Sequence, residues 1–254
     1  MSTIFITGAA AGIGRATAER FHAAGWALGL TDVDDQALAE LATSLGGERV
    51  WTKRLNVVDS AEVALALGEF AKAHGDCIDV LFNCAGILRT GAFAEIPLEA
   101  HQRIIDINVT GLMNVTHHAY PWLKRSQAGK VINMSSASAV YGVPDFVSYS
   151  ASKFAVRGLT EALNIEWSRE GIDVVDIMPP FVKTAMVAAN SSLLIERMGV
   201  NLTATDIATA VWQVANDKRA PVHNPVGWQF RAVLLVNKLF PSRVTRQALS
   251  FLSR

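Results

Sequence analysis

The chain is poor in cysteine, in metal-binding patterns and in long apolar runs. Its two cysteines, Cys77 and Cys84, do not make the disulfide framework of a secreted domain. We find no run of eighteen apolar residues that would span a membrane, and no charged leader or cleavage site at the start. We therefore expect a reducing, cytoplasmic environment. The adjacent pair His117 and His118 lacks the spacing of metal ligands, so we assign no metal.

Net charge is also lacking. The sequence holds 23 basic and 23 acidic residues, so no overall field attracts nucleic acid, and we expect no nucleic-acid partner. Acidic side chains are absent after Asp217. The residues that follow, 218–254, form an atypical basic C-terminal segment with seven basic side chains: Lys218, Arg219, Arg231, Lys238, Arg243, Arg246 and Arg254.

Short apolar runs alternate with longer stretches of helical period. The runs predict strands at 2–7, 26–31, 49–55, 79–83, 130–135 and 173–178, and the periodic stretches predict helices at 13–24, 35–45, 60–74, 101–126 and 149–169. Apolar strands separated by helices indicate a parallel sheet that is covered on both faces. We expect a single doubly wound Rossmann-type α/β domain, residues 1–254, with about seven strands flanked by helices.

A glycine-rich turn, TGAAAGIG, follows the first predicted strand. Gly8 permits the tight turn, Gly12 lets the backbone approach a pyrophosphate, and Gly14 allows close packing of the helix. The N-terminus of that helix would offer free N–H groups to phosphates. Any tight strand-to-helix turn uses glycine, and the spacing is GxxxGxG instead of GxGxxG. The position after the first strand nevertheless favours a dinucleotide site.

Asp32 ends the second predicted strand, about 18 residues past the last glycine. A carboxylate there can accept hydrogen bonds from both hydroxyls of an adenosine ribose, which favours NAD. The 2'-phosphate of NADP would meet a like charge, and neither Ala11 nor Val33 supplies a basic group to receive it. The alternative is that Asp32 caps the next helix, because Asp is a favoured cap.

Tyr149 and Lys153 lie four residues apart in DFVSYSASKFAV, residues 145–156. On a helix, that spacing places both side chains on one face. A nearby ammonium stabilises the phenolate, so we expect the pKa of Tyr149 to lie well below its usual value of about 10. A surface tyrosine and a solvated lysine can also share a helix face by chance.

Six motifs, taken together, resemble the classical short-chain dehydrogenase/reductase family. They are TGAAAGIG, Asp32, NCAG at 83–86, INVTG at 107–111, MSS at 134–136 and YSASK at 149–153. The resemblance covers roughly residues 3–185, and the order and spacing of the six are specific. It implies an NAD-dependent oxidoreductase that passes a hydride between the nicotinamide and a carbonyl carbon of a small-molecule substrate, interconverting a secondary alcohol and a ketone.

The resemblance also implies the roles of four catalytic residues. Tyr149 matches the acid/base, and Lys153 matches the lysine that lowers the pKa of that phenol and bonds the nicotinamide ribose. Ser136 matches the serine that binds the substrate oxygen, although Ser135 and Ser138 lie close by. Asn108 matches a helix asparagine whose local distortion holds a water linking the lysine to solvent. Its alternative interpretation is an ordinary helix-surface amide.

The implied cofactor site gathers residues from the ends of the strands. Among them, Thr184 matches a threonine that bonds the nicotinamide carboxamide. The full set is Gly8, Gly12, Ile13, Gly14, Asp32, Asn56, Val57, Asn83, Ala85, Gly86, Tyr149, Lys153, Pro179, Val182 and Thr184.

Three positions depart from the family pattern. Cys84 replaces the second asparagine of NNAG, and without a basic neighbour or a paired cysteine we assign it no redox role. Asn56 replaces an aspartate at the adenine and offers a similar carbonyl acceptor. Pro180 replaces the glycine of PG, which removes an N–H donor and stiffens the loop.

Residues 185–200 should form a mobile substrate lid. Their low charge and apolar side chains favour a hydrophobic substrate, although several of these side chains could equally pack on the core: Met186, Val187, Leu193, Leu194 and Met198. The same fold could also serve a non-catalytic nucleotide sensor, which would have little reason to keep the four catalytic residues. A sugar-nucleotide epimerase would usually have a longer chain.

The basic C-terminal segment departs most from the family, which puts the usual tetramer in doubt; we expect a homodimer or a homotetramer. Residues 243–254 place arginines on one helical face and apolar side chains on another: Arg243, Arg246 and Arg254 against Val244, Ala248, Phe251 and Leu252. Such a pattern suits peripheral contact with a membrane, a partner helix, or packing on the chain's own domain.

Overall fold

A computed structural model describes residues 1–190, 192–228, 230, 231, 234, 247 and 250. Apart from Gln247 and Ser250, the amphipathic helix expected at 243–254 lies outside these described residues, as do most of the apolar side chains after Trp228. Across the part of the chain that is described, no helix is long and apolar enough to cross a bilayer.

Strands and helices alternate along the chain. The strands are β1 (Thr3–Thr7), β2 (Ala27–Asp32), β3 (Val50–Arg54), β4 (Val80–Asn83), β5 (Lys130–Met134), β6 (Asp173–Met178), β7 (Val182–Lys183), β8 (Leu202–Thr203) and β9 (His223–Pro225). The α-helices are α1 (Gly12–Ala23), α2 (Asp35–Ser44), α3 (Ser60–Ala73), α4 (Leu98–Ile105), α5 (Leu112–Leu123), α6 (Val147–Ser168), α7 (Ala185–Ala188), α8 (Leu193–Met198) and α9 (Ala204–Asn216).

Within the described residues, seven strands form one parallel sheet in the order β3-β2-β1-β4-β5-β6-β9. The predicted doubly wound α/β fold is therefore confirmed. The chain moves outward from β1 to β2 and β3, and then returns to the other side of β1 to form β4. In such a sheet, ligands bind beyond the carboxyl ends of the strands at this reversal of strand order.

Each face of the sheet carries its own apolar core. Side chains alternate between the two faces along a strand, so Ile4 and Ile6 join one core and Phe5 joins the other. Phe21 and Ile207 bring α1 and α9 onto the first face, while Phe70 brings α3 onto the second. Because both faces are covered, the central strands are apolar almost throughout.

The long helix expected at 101–126 is interrupted. It consists of α4, a π-helical turn at Asp106–Gly111, and α5. A π-helical turn contains more residues than an α-helical turn and is frequent at functional sites. The distortion falls at Asn108, where the family resemblance implies one.

Candidate active site

The glycine-rich turn lies at the reversal of strand order, against the backbone that follows β4. Gly8 has a φ of 67°, and a Cβ there would come within 2.8 Å of the Ala85 Cα. A Cβ on Gly14 would come within 2.0 Å of the Gly8 carbonyl oxygen. Both positions therefore require glycine: a side chain on Gly8 would push the turn away from the loop after β4, and one on Gly14 would collide with the backbone of the turn itself.

The N-terminus of α1 opens towards this crevice. Its N-cap residue, Ala11, provides no side-chain cap. The first amides of a helix have no intrahelical partner, and two of the residues that carry them, Gly12 and Ile13, line the cavity. Free N–H groups and the positive end of the helix dipole suit the pyrophosphate of a dinucleotide.

Asp32 accepts one backbone hydrogen bond on each carboxylate oxygen. The donors are the amides of Ala10, at 3.0 Å, and Asp34, at 3.1 Å. The cap of α2 is Asp34, which accepts from the Ala37 amide. The interpretation of Asp32 as a helix cap is therefore wrong. Its oxygens keep further lone pairs and the side chain borders the cavity, where ribose hydroxyls could donate to it.

The end of β3 holds a residue that the motifs did not reveal. Arg54 pairs with Asp32 in the register of β2 and β3, and it lines the cavity. Its position at a strand end, two residues before Asn56, was the signal that could have identified it. Asn56 also lines the cavity, and its side-chain oxygen accepts from the Val58 amide at 3.2 Å, which occupies part of its acceptor capacity.

Tyr149 and Lys153 share one face of α6. The Lys153 Nζ lies 5.5 Å from the centre of the Tyr149 ring and donates to the Met134 carbonyl at 2.7 Å. The end of β5 therefore fixes the ammonium beside the phenol. Burial lowers the pKa of Lys153 to about 8.

The expectation of a low pKa for Tyr149 is wrong for the free protein. Burial raises the pKa of Tyr149 to about 12, and a hydrogen bond with Ser136 opposes this shift only in part. A buried phenolate loses its hydration, and Lys153 does not replace it because its hydrogen bond goes to Met134. At neutral pH, Tyr149 therefore holds its proton.

Three serines lie near the phenol. Ser136 hydrogen-bonds Tyr149 and also accepts from the amide and the hydroxyl of Ser138, at 3.2 and 2.9 Å. Ser135 is buried, and within the described residues its hydroxyl has no hydrogen-bond partner. The structure thus places Ser136, of the three, against the phenol, with Ser138 holding it in position.

Asn108 is buried in the π-helical turn, so its interpretation as a helix-surface amide is wrong. Its side-chain oxygen accepts from the Ile87 amide at 2.8 Å, and its nitrogen donates to the Ile87 carbonyl at 3.0 Å and to the Ser152 hydroxyl at 3.1 Å. That hydroxyl donates to the Tyr149 carbonyl at 2.7 Å. Asn108 therefore joins the loop after β4 to the backbone of the tyrosine.

A cavity of about 1030 Å³ brings most of the predicted residues together. Its lining includes Gly8, Gly12, Ile13, Asp32, Asn56, Val57, Ala85, Gly86, Ser136, Tyr149, Lys153, Pro179, Val182 and Thr184. Gly14, Asn83 and Asn108 are not part of this lining. Asn83 is buried below it and donates to Thr116 and Asn133, both at 2.9 Å.

Cys84 also lines the cavity. Burial raises the pKa of Cys84 to about 12, so the thiol stays protonated at neutral pH and is a poor nucleophile. The expectation that Cys84 has no basic neighbour is wrong, because Lys153 lies close enough to lower this pKa in part.

Known proteins resemble this chain in sequence. A family profile described as short chain dehydrogenase matches residues 2–193. The 3alpha-hydroxysteroid dehydrogenase of Mediterraneibacter gnavus is 32% identical to this chain over 222 residues, which cover 84% of this chain and 88% of that protein.

Solved structures show the same likeness. A short chain dehydrogenase/reductase from Burkholderia phymatum, in complex with NAD, is 27% identical with a TM-score of 0.83, over 97% of this chain and 95% of that one. ElxO with NADP bound shares the fold at 22% identity and a TM-score of 0.81, over 91% of this chain and 99% of that one. The profile match and the extent of the likeness place the chain in the short-chain dehydrogenase/reductase family of oxidoreductases.

Proposed function

We propose that the protein is an NAD(H)-dependent oxidoreductase that interconverts a secondary alcohol and a ketone on a hydrophobic substrate. The observation that carries this proposal is the placement of Ser136, Tyr149 and Lys153 in one cavity with a glycine-lined helix N-terminus. A nicotinamide dinucleotide fits the residues at the crevice. The cofactors in the related structures are NAD and NADP, and Asp32 supports the choice of NAD.

Bound NAD supplies the hydride acceptor, and its reduced form supplies the hydride. The amides of Gly12 and Ile13 would bind the pyrophosphate, and Asp32 would accept from the adenosine ribose. Thr184, at the start of α7, would bond the nicotinamide carboxamide. A Cβ on Gly12 would lie 3.5 Å from the Thr184 Cγ2, so the residues given to the pyrophosphate and to the carboxamide are neighbours.

Tyr149 is the residue that exchanges a proton with the substrate oxygen. In reduction the phenol gives its proton to the carbonyl oxygen, and in oxidation its deprotonated form, the phenolate, takes one from the alcohol. Ser136 would orient the substrate oxygen by a hydrogen bond. Lys153, held by the Met134 carbonyl, would bond the nicotinamide ribose, and Asn108 would belong to the path that returns protons from solvent.

The substrate end of the cavity is apolar. The described lining residues within 140–146, 181–202 and 227–230 carry no carboxylate, guanidinium, ammonium or imidazole group. A charged substrate would lose its hydration against these residues without gaining a partner among them; Arg103 lines the same cavity outside these ranges. We therefore propose an uncharged, apolar alcohol, enclosed by a lid of residues 185–200.

A screen of NAD-linked oxidation over secondary alcohols of graded hydrophobicity tests this function. We expect kcat/KM to rise about fourfold for each methylene that becomes buried, since each contributes about 0.8 kcal/mol. Carboxylated analogues of the same size should react at least about tenfold more slowly. Tight NAD binding without turnover of steroid, retinoid, acyl or polyol alcohols would instead favour the non-catalytic nucleotide sensor.

We further propose a homodimer or homotetramer in the cytoplasm, with peripheral membrane contact through residues 228–254. Three large apolar side chains on α6 support self-association, because Val147, Phe154 and Ile165 are 48%, 43% and 68% exposed. The two free cysteines support a reducing compartment. The apolar and basic composition of 228–254 supports attraction to anionic lipid, since each basic side chain near the surface contributes about 1 kcal/mol of binding free energy.

Co-sedimentation with anionic and neutral vesicles, at low and high salt, tests the membrane contact. We expect binding to anionic vesicles that high salt weakens, and a mass in solution of two or four chains. The contrary result is a stable oligomer that does not bind anionic vesicles and that dissociates when residues 228–254 are removed. This result would contradict membrane contact and assign the segment to the interface between subunits.

A further inference from the structure

Four polar side chains occupy one register on four neighbouring strands. Asn83 on β4 lies beside Asn133 on β5, Asn133 beside Asp176 on β6, and Asp176 beside His223 on β9. Asp176 is completely buried, and within the described residues one of its oxygens has no partner. This polar row therefore ends in an ionisable pair, Asp176 and His223, at the edge of the sheet.

His223 bridges two carboxylates. Its Nδ1 lies 2.9 Å from Asp176 Oδ2, and its Nε2 lies 2.9 Å from Glu161 Oε1 on α6. An ionised carboxylate oxygen only accepts hydrogen bonds, so Nε2 donates to Glu161, and one proton lies between Nδ1 and Asp176 Oδ2. Arg157 donates to the same Glu161 oxygen at 2.8 Å, so Glu161 accepts from both side chains.

The pKa directions of the pair bear on where the shared proton resides. The hydrogen bond with Asp176 raises the pKa of His223, and burial raises the pKa of Asp176 against the opposing effect of His223, so the pair holds the shared proton more firmly than either group would alone. The pKa of Glu161 is lowered, chiefly by the hydrogen bond from Arg157, so Glu161 is ionised and accepts from Nε2. Asp176, Glu161 and Arg157 are the charged groups that the described elements place against His223.

Strand β9 has other anchors besides His223. It is a three-residue edge strand, and its last residue, Pro225, has no N–H to donate. Three residues pair in the register of β6 and β9, and backbone hydrogen bonds join Asp176 to Val222 at 2.8 Å and Val226 to Met178 at 3.1 Å. The Asn224 side chain donates to the Asp176 carbonyl at 3.0 Å. To these anchors the side chain of His223 adds contacts with two carboxylates.

The chain that follows β9 forms one wall of the cavity. Trp228 and Phe230 line it, and Phe230 packs against Ala139 and Met178. At the other end of the network, Arg157 donates to the Ala139 carbonyl at 3.4 Å. The charge network thus reaches two segments that flank the substrate end of the cavity.

We infer that His223 is a positioning residue: its side chain, through the proton that it shares with Asp176, helps to fix β9 on β6 and thereby holds Trp228 and Phe230 in place as a wall of the substrate cavity. This inference rests on the proposed function for its effect on turnover, but the docking of β9 can be measured without turnover. His223 affects substrate binding, whereas Tyr149 transfers a proton to or from the substrate oxygen.

The sign of the pH dependence follows from the raised pKa of His223. A group whose pKa is raised by folding stabilises the fold fully below its ordinary value, about 6.5, and loses that contribution as pH rises through the raised value. Asp176 is shifted in the same direction from a lower starting value. The docking of β9 should therefore weaken on the alkaline side of neutrality, and KM for an apolar alcohol should rise there.

Hydrogen exchange of the amides of residues 222–228, corrected for intrinsic rates at pH 6.5 and 9, tests the docking directly. In the wild type, protection should fall by about tenfold or more between the two pH values. His223→Gln should show low protection at both. His74→Gln, at the end of α3 and away from the network, is the matched control and should behave as wild type. Equal protection in His223→Gln and wild type at both pH values would overturn the inference.

Kinetics and a compensating variant complete the test. His223→Gln should raise KM for an apolar alcohol about fivefold, with kcat and the Kd for NAD within about twofold.

Asp176→Asn/His223→Gln, which copies the amide pair of Asn83 and Asn133, should restore protection and abolish its pH dependence even if the single variant is unstable. A double variant that remains unprotected would count against the inference. Normal pH-dependent protection in a protein that turns over no alcohol would leave the inference standing and remove the proposed function.

Discussion

Tyr149→Phe should lower kcat by about 1000-fold or more, while the Kd for NAD changes by less than about twofold. The substitution removes the transferable proton and the hydrogen bond with Ser136, and it leaves the ring in its place on α6. General acid–base catalysis contributes about 10²- to 10⁴-fold, which sets the scale of the loss. Steady-state rates and a fluorescence titration with NAD measure the two quantities.

Tyr141→Phe is the matched control, because Tyr141 also lines the cavity. It should retain nearly full activity. The pH profile adds a second check: with the pKa of Tyr149 at about 12 in the free protein, wild-type alcohol oxidation should speed up as pH rises from about 7 to 10. More than a few per cent of activity in Tyr149→Phe, with NAD binding unchanged, would show that another group carries the proton.

Asp32 should make NAD the preferred cofactor, with kcat/KM at least about 30-fold higher than with NADP. Its oxygens are held by the amides of Ala10 and Asp34 and border the cavity, so a 2'-phosphate would face a fixed negative charge. A hydrogen bond to a charged group contributes about 1.5–3 kcal/mol, which is about 10- to 100-fold in efficiency. Asp32→Ser should therefore lose most of the preference when both cofactors are compared.

Asp35→Asn provides the control, since it removes a neighbouring exposed charge at the start of α2 and leaves Asp32 intact. It should keep the wild-type ratio of efficiencies. Equal use of NAD and NADP by the wild type would contradict the role given to Asp32. In that case Arg54, the basic side chain in register with Asp32, would be the first residue to replace.

Local patterns predicted the sheet and much of the site. Strand ends, the glycine-rich turn and the four-residue spacing of Tyr149 and Lys153 each depend on neighbouring residues. The structure accordingly places the carboxyl ends of β1, β2 and β4 around one cavity.

Properties that depend on distant residues were missed. The pKa of Tyr149 is set by burial beneath segments from elsewhere in the chain, which its spacing from Lys153 does not encode. Asp176 and His223 are 47 residues apart, and only the register of β6 and β9 joins them. Asn83 was assigned to the cofactor by its motif, but its side chain points to Thr116 on α5.

The π-helical turn at Asp106–Gly111 sets the angular phase between two helices. Helix α4 packs on α6, and α5 packs on α3. Successive residues of an α-helix are rotated by about 100°. If the same residues formed one regular α-helix, the surplus residue would rotate α4 against α5 by about that angle. His101 and Ile104 would then leave the interior, so the π-helical turn, which accommodates the surplus residue, lets a single chain segment present its apolar side correctly to two different neighbours.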